Sequence, residues 1–297
     1  MSSQPQTDDH FWQALPLGRG VTVCARDAGG VVAFCKPAGV LSHPNEARDQ
    51  GRSLLDARYV EDGEFYEWQD KSGTGCQPVI QNKAHGLAAH ATTDKTHGLA
   101  AHATTRRLWL LNRLDSGTSG VILAASDEKL ALEIRALFQQ RRVSKTYVAL
   151  VFGLPSGKKQ VWRDRLAIEK RGGQIRAGAR AGNIPAEAEM TVLRTWREHP
   201  FAGGRAVSLL QLEPGTGRSH QLRVQCARRR LPIVGDATYG DFRANREFAK
   251  RGGGKRLFLH SLETRFEYGG GAGREGRAGR VFAARAELPP EFLADGV

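Results

Sequence analysis

The chain has 297 residues, of which 40% are hydrophobic and 25% charged, the balance of a globular protein of one large domain or two. No run of about 18 apolar residues occurs, which excludes a helical membrane span, and the polar stretch from Met1 to Arg19, with Asp8 and Asp9, excludes a secretory signal. The formal net charge of +13 is uneven: residues 1–105 carry −3 and residues 106–297 carry +16, which points to a polyanionic partner of the later part.

Residues 1–20 are expected to be a loose leader, and residues 21–297 one catalytic domain. Val21 to Cys24 and Val31 to Cys35 predict two strands joined by a turn at Asp27-Ala28-Gly29-Gly30. Pro37 and Gly39 end the second strand. His85 to Thr93 recurs unchanged as His97 to Thr105, a 12-residue period in two copies, too few to stack as a solenoid. It is expected to be a low-complexity insertion at about 72–107, and its histidines lack the spacing of a closed metal site. Leu108 to Leu111 and Val121 to Ala125 read as buried strands around the turn residues Asp115-Ser116-Gly117-Thr118-Ser119-Gly120.

A helix follows, with Ser126 as its cap, acids at Asp127 and Glu128, and a stripe of Leu130, Ile134, Leu137 and Phe138. Lys145 to Phe152 is a strand. Residues 156–184 are weakly patterned, with short strands centred on Ile168 and Ile175. Ala188 to Trp196 and Ala206 to Leu212 form a hairpin. Ser219 is expected to cap a helix from His220 to about Arg229. Strands at Leu257 to Phe266 and Val281 to Ala286 flank a flexible loop, Gly269 to Gly279. Many strands and two clear helices predict an α+β fold with a mixed, mainly antiparallel sheet. Cys24, Cys35, Cys76 and Cys226 form no C-x-x-C pair, so a reducing cytoplasm is expected.

Asp115 is the residue to which chemistry attaches. A strand delivers it to the mouth of a loop, where an acid preceded by Arg113 is held ionised and aimed at a ligand. The same spacing fits an Asx-turn. The segment Asn112-Arg113-Leu114-Asp115-Ser116-Gly117-Thr118-Ser119-Gly120 resembles the His-Arg-Leu-Asp-x-x-Thr-Ser-Gly motif of RluA-type pseudouridine synthases. Four more segments resemble that family in order: Cys35 to Val40, Ser144 to Ala149, Gly217 to Val224 and Gly235 to Gly240.

The resemblance implies isomerisation of uridines in structured tRNA or ribosomal RNA, on a base flipped out of its stack. By motif, Asp115 matches the catalytic aspartate, Arg223 its basic partner and Tyr147 the catalytic tyrosine. Arg113 matches the residue that fills the space of the flipped base. Ribose and pyrimidine are both open as the point of attack. Arg218 and His220 stand in a Gly-x-Gly loop at a predicted helix start, where phosphate binds readily, so both are candidate RNA contacts. Arg228, Arg229 and Arg230 resemble a phosphate-facing patch. The family needs no cofactor, and no metal triad, P-loop or dinucleotide fingerprint appears. No obligate protein partner is expected.

Two departures stand out. Asn112 replaces the usual His, which touches loop geometry, and no S4-type RNA-binding domain is expected before Val31. A non-catalytic RNA-binding or RNA-folding factor on the same scaffold is the rival reading. A glycosidase-like hydrolase is weaker, because no second carboxylate stands out beside Asp115.

Overall fold

The computed structural model describes residues 9–70, 104–171, 174–270 and 279–293. A short helix α1 (Asp9–Gln13) precedes the hairpin of β1 (Thr22–Arg26) and β2 (Val31–Lys36). Asp27 makes this turn by accepting from the main-chain N–H of Gly29 and Val31, both at 3.0 Å. Next come β3 (Arg58–Val60), β4 (Phe65–Asp70), β5 (Thr104–Leu110) and β6 (Ser119–Ala125). Helix α2 (Glu128–Gln139) leads to β7 (Ser144–Phe152), β8 (Lys159–Arg171), β9 (Gln174–Ala181), β10 (Ile184–Trp196) and β11 (Val207–Pro214). The chain closes with α3 (Gln221–Arg228), α4 (Phe242–Lys250), β12 (Leu259–Tyr268) and β13 (Arg280–Arg285).

Among the described residues the strands join one mixed sheet in the order β3-β4-β5-β6-β12-β7-β11-β10-β8-β9, with β2 beside β6, β1 beside β2 and β13 beside β12. The β6–β12 pair is parallel and short, through Ser119 with His260 and Gly120 with Ser261. Every other strand pair is antiparallel. This is the α+β, mainly antiparallel fold expected from the pattern of strands.

The apolar faces bury three large clusters and a small one of Leu166, Ala186 and Val224. Helix α2 lays Ala131, Ile134 and Leu137 on β2, β6 and β12, each large side chain contributing about 1.5–3 kcal/mol. A second cluster joins β7, β10, β11 and β12 to α3 and α4. A third gathers Phe11, Leu15, Tyr66, Leu108 and Ile122. Tyr147 packs against both of the last two, at their junction.

Several expectations are corrected. Residues 9–20 are no loose leader: Phe11 and Leu15 are core, and Leu17 bridges Leu55. An amphipathic turn in a polar stretch shows its anchors only once a groove receives them. Strand β5 starts at Thr104, so the last residues of the expected 72–107 insertion pair with β4, while residues 71–103, with most of the histidine repeat and Cys76, lie outside the described residues. The weakly patterned 156–184 segment makes the long strands β8 and β9, because hydrogen bonds to a neighbouring strand supply what the apolar pattern lacks.

Asp127, not Ser126, caps α2, accepting from Leu130 N at 3.1 Å. Ser219 does not cap α3. His220 holds that position in the left-handed region (φ 56°), and Gln221 ties the loop by accepting from Thr216 Oγ1 and Arg218 N. Helix α4 was not anticipated, since only Ala244 and Phe248 are buried along it. Of the loop Gly269 to Gly279, residues 271–278 lie outside the described residues.

Candidate active site

The loop from β5 to β6 is tied down along its length. Asn112 Oδ1 accepts from Leu123 N at 2.8 Å, so the residue that departs from the family pattern still closes the hairpin. Leu114 is gripped twice by Ser42: its N–H donates to Ser42 Oγ at 2.9 Å and its carbonyl accepts from that hydroxyl at 2.8 Å. Thr118 N donates to the Asp115 carbonyl at 3.0 Å, making the turn. The Ser116 carbonyl accepts from Gly39 N at 2.7 Å and from Lys36 Nζ at 3.2 Å. Lys36 is fully buried, and its ammonium also donates to the carbonyls of Val40 (2.6 Å) and Pro37 (3.1 Å). Three acceptors match the three protons of an ammonium. Burial pushes its pKa down to about 7, with the Asp115 charge opposing and Arg256 adding to the fall.

The main chain therefore presents the Asp115 side chain, 28% exposed, to a set of groups from elsewhere in the fold. Arg223 of α3 donates from Nη1 to Asp115 Oδ2 at 3.0 Å. The same guanidinium donates from Nε and Nη2 to both oxygens of Asp236, at 2.8 and 2.7 Å. Burial works against its charge, but the hydrogen bonds and charge of Asp236, then of Asp115, hold its pKa above the ordinary arginine value. Asp236 is pulled down in turn: burial opposes its charge, and Arg223 with the N–H groups of Tyr239 and Thr238 overcomes it. His220 Nε2 lies 3.6 Å from Asp115 Oδ2, while its Nδ1 is 3.1 Å from the Tyr239 hydroxyl. The Tyr239 ring centroid is 5.2 Å from the Arg223 guanidinium.

Tyr147 enters from β7, opposite Ser261 of β12. Burial raises its phenol pKa to about 12; the Ser261 side chain opposes this and the Asp115 charge adds to it. Asp115, Arg223 and His220 are thus in contact although far apart in sequence, and the Asp115 charge reaches the Tyr147 phenol. A carboxylate and a fixed guanidinium, with a neutral phenol within reach of their charge, can hold an anion-forming reaction and move a proton.

Arg113 is elsewhere. It does not pair with Asp115; its Nη1 is 3.3 Å from His43 Nε2 and its Nη2 is 3.6 Å from Glu64. His43 in turn stacks on Tyr59 at 4.7 Å. Arg113, two positions before Asp115 in the loop after β5, is taken up by His43 and Glu64, and Arg223 supplies the positive charge at Asp115. Arg218 is exposed at the loop before α3. The expected phosphate patch is altered: Arg228 and Arg229 pair with Asp164 at 3.5 and 2.9 Å, and Arg229 also lies on Trp162. Sequence reasoning missed Asp236, Lys36 and Ser42. Asp236 and Lys36 stand inside quoted motif segments, but nothing in a linear pattern says which charge a buried residue meets.

Among the described residues no helix is long and apolar enough to cross a membrane, and no group of three or more His, Cys, Asp or Glu could hold a metal ion. Residues 30–228 match the family model of RNA pseudouridylate synthases. The chain is 31% identical over 199 residues to tRNA pseudouridine synthase C of Vibrio cholerae, covering 63% of this chain and 81% of that protein. It is 32% identical over 201 residues to the protein of that name from Haemophilus influenzae, covering 63% and 82%. It is also 30% identical over 193 residues to ribosomal large subunit pseudouridine synthase C of Vibrio cholerae, covering 63% and 58%. Among solved structures, human RNA pseudouridylate synthase domain containing 1 shares the fold at TM-score 0.56 and 20% identity, over 92% of this chain and 86% of that one. Human RNA pseudouridylate synthase domain containing 4 does so at 0.52 and 20%, over 91% and 90%. By motif, by match and by fold, this chain belongs to the RNA pseudouridylate synthase family.

Proposed function

We propose that the chain converts specific uridines of tRNA or ribosomal RNA to pseudouridine, with Asp115 as nucleophile, Arg223 as its charge partner and Tyr147 as the aromatic wall and proton-handling phenol. The N1–C1′ bond of a flipped uridine breaks, the uracil turns, and C1′ joins C5. The C5 proton leaves and N1 gains one, so substrate and product are isomers and no co-reactant is consumed. Arg223 keeps the carboxylate ionised for attack. Tyr147, neutral because burial holds its pKa at about 12, stacks on the base and relays the C5 proton through its hydroxyl.

Arg113, exposed at the rim, stacks into the duplex where the base was. Arg218 and His220 meet phosphate at the start of α3, His220 from beside the carboxylate. The chain acts as one catalytic domain that takes in residues 9–20, with the histidine repeat as an insertion in it, and the enzyme works in the cytoplasm. The observation that carries this reading is the 3.0 Å contact of Asp115 with a buried Arg223.

The test is tritium release from RNA labelled at uracil C5. Wild-type protein should release it, and Asp115→Ala should bind the same RNA with release abolished. Binding without release by the wild type would leave a non-catalytic RNA-folding factor. Release by the variant at the wild-type rate would remove Asp115 from the reaction.

A further inference from the structure

Helix α4 turns one face to the core with Ala244 and Phe248 and leaves the opposite face to solvent. At 3.6 residues per turn, the side chains opposite that buried pair are those of Phe242, Arg243, Arg246 and Lys250. Phe242, Arg246 and Lys250 follow one another at four-residue steps and form one row, with Arg243 beside it. All four are exposed. Phe242 is 54% exposed, and among the described residues it is the one Phe, Tyr or Trp left so open.

The charges of this row are not answered from within the helix. Asp241 caps α4, its Oδ1 accepting from Arg243 N at 3.0 Å and Ala244 N at 2.9 Å, and its Oδ2 lies 3.8 Å from Arg205. Glu247, off the row, pairs with Arg251 at 3.4 Å. Among the described residues the side chains of Arg243, Arg246 and Lys250 have no ion-pair or hydrogen-bond partner. A single bare charge or a single bare ring on a surface is ordinary. Cations grouped around one open ring match a partner that carries phosphates and flat apolar faces together, which is a nucleic acid with unpaired bases. An acidic protein surface would answer the charge alone. The position of the row also favours RNA. Phe242 follows Tyr239 by three residues, at most about 11 Å of chain, and the Tyr239 hydroxyl lies 3.1 Å from Nδ1 of His220 at the site.

We propose that the outer face of α4 is a second binding surface for the substrate RNA: Phe242 stacks on an unpaired base beyond the target uridine, and Arg243, Arg246 and Lys250 hold the phosphates around it. This rests on the reading of RNA as substrate. The row touches no reacting atom. It selects RNAs that offer an unpaired base at that distance from the uridine, because a base inside a duplex has no free face to give.

The test is binding to unmodified tRNA and ribosomal RNA transcripts, read beside the C5 tritium assay. The triple variant Arg243→Gln, Arg246→Gln, Lys250→Gln should raise Kd about tenfold or more and make the slope of log Kd against log salt shallower by about two to three. Phe242→Ala should raise Kd about fivefold or more with that slope unchanged; Phe242→Leu should do the same, and Phe242→Trp should keep the wild-type value. In the weakened variants KM for RNA should rise with Kd while kcat moves by less than about twofold. An unchanged Kd and salt slope in the triple variant overturns the proposal and leaves the row to an acidic protein surface. Equal Kd values for Phe242→Leu and wild type overturn it as well. A wild type that binds RNA without releasing tritium would fail the reading of catalysis, and the Kd values of the variants then decide the row by themselves. A wild type that binds no RNA fails both.

Discussion

Lys36 and His260 are buried basic residues that flank the Asp115 loop and carry opposite lessons. Lys36 spends all three protons on carbonyls of two loops, one of them that of Ser116, next to Asp115. Lys36→Met should leave the carbonyls of Val40 and Pro37 without that donor and the Ser116 carbonyl with Gly39 N alone, at a cost of about 1–3 kcal/mol for each stranded carbonyl where water cannot reach it. The loop should slacken, and kcat in the tritium assay should fall about tenfold or more, with a lower melting temperature; a variant as active as wild type would show that Gly39 and Ser42 hold the loop alone.

His260 is buried without a partner for Nε2 among the described residues, while its Nδ1 lies 2.8 Å from Ser119 Oγ. Arg256 donates to that same hydroxyl and pairs with Glu291 at 2.8 Å. Burial, then the Arg256 charge, lowers the His260 pKa from 6.5 to about 4. The unfolded ring therefore takes a proton first as pH falls, and acid favours unfolding across the window from 6.5 down to about 4. Above 6.5 both states are neutral and the residue adds no slope. The loss reaches about 3 kcal/mol at the acid end. Urea titrations at several pH values should show a flatter acid limb for His260→Asn than for wild type, and equal limbs would place the acid sensitivity on other groups.

At the scale of elements, the β6–β12 contact decides whether the site exists. Gly120 sits at φ 108°, and a Cβ there would overlap the Ser261 carbonyl. Gly120→Ala should strain the backbone and part the two strands, costing about 3 kcal/mol or more, read as a loss of melting temperature and of activity together. The cap of α2 is a milder case: Asp127→Ala should cost about 1 kcal/mol of stability and leave kcat unchanged. Strands β2 and β6 and helix α2 were legible because their apolar spacing is dense and turn residues bound them. Helix α4 was not, and β8 and β9 showed only as short strands centred on Ile168 and Ile175, because their full length rests on neighbours rather than on their own pattern. The loop before α3 shows the same limit. Ser219 has the chemistry of a cap, yet Gln221 does the tying, since its amide reaches Thr216, Arg218 and the Glu187 carbonyl at once.

For the whole molecule, the +16 charge of residues 106–297 is the property that RNA meets first. Part of it is internally spent, as at Arg228 and Arg229 on Asp164, and the remainder should draw in phosphate. RNA affinity should fall about a hundredfold between 50 and 200 mM salt if four phosphates are contacted, and a flat dependence would argue for recognition without the backbone.

The order of motifs and the alternation of strands determined the family and the mainly antiparallel fold and pointed to Asp115, Tyr147 and Arg223 as candidates, because each is a local property of the chain. Which groups face one another was decided only by the folded sheet. It turned Arg113 toward His43, set Asp236 behind Arg223 and buried Lys36 under Ser116. Such pairings join positions far apart in the chain, 108 residues for Arg223 with Asp115 and 141 for His260 with Ser119, and depend on strand register and helix placement. A linear pattern carries the identity of a charge but not the partner that burial forces upon it.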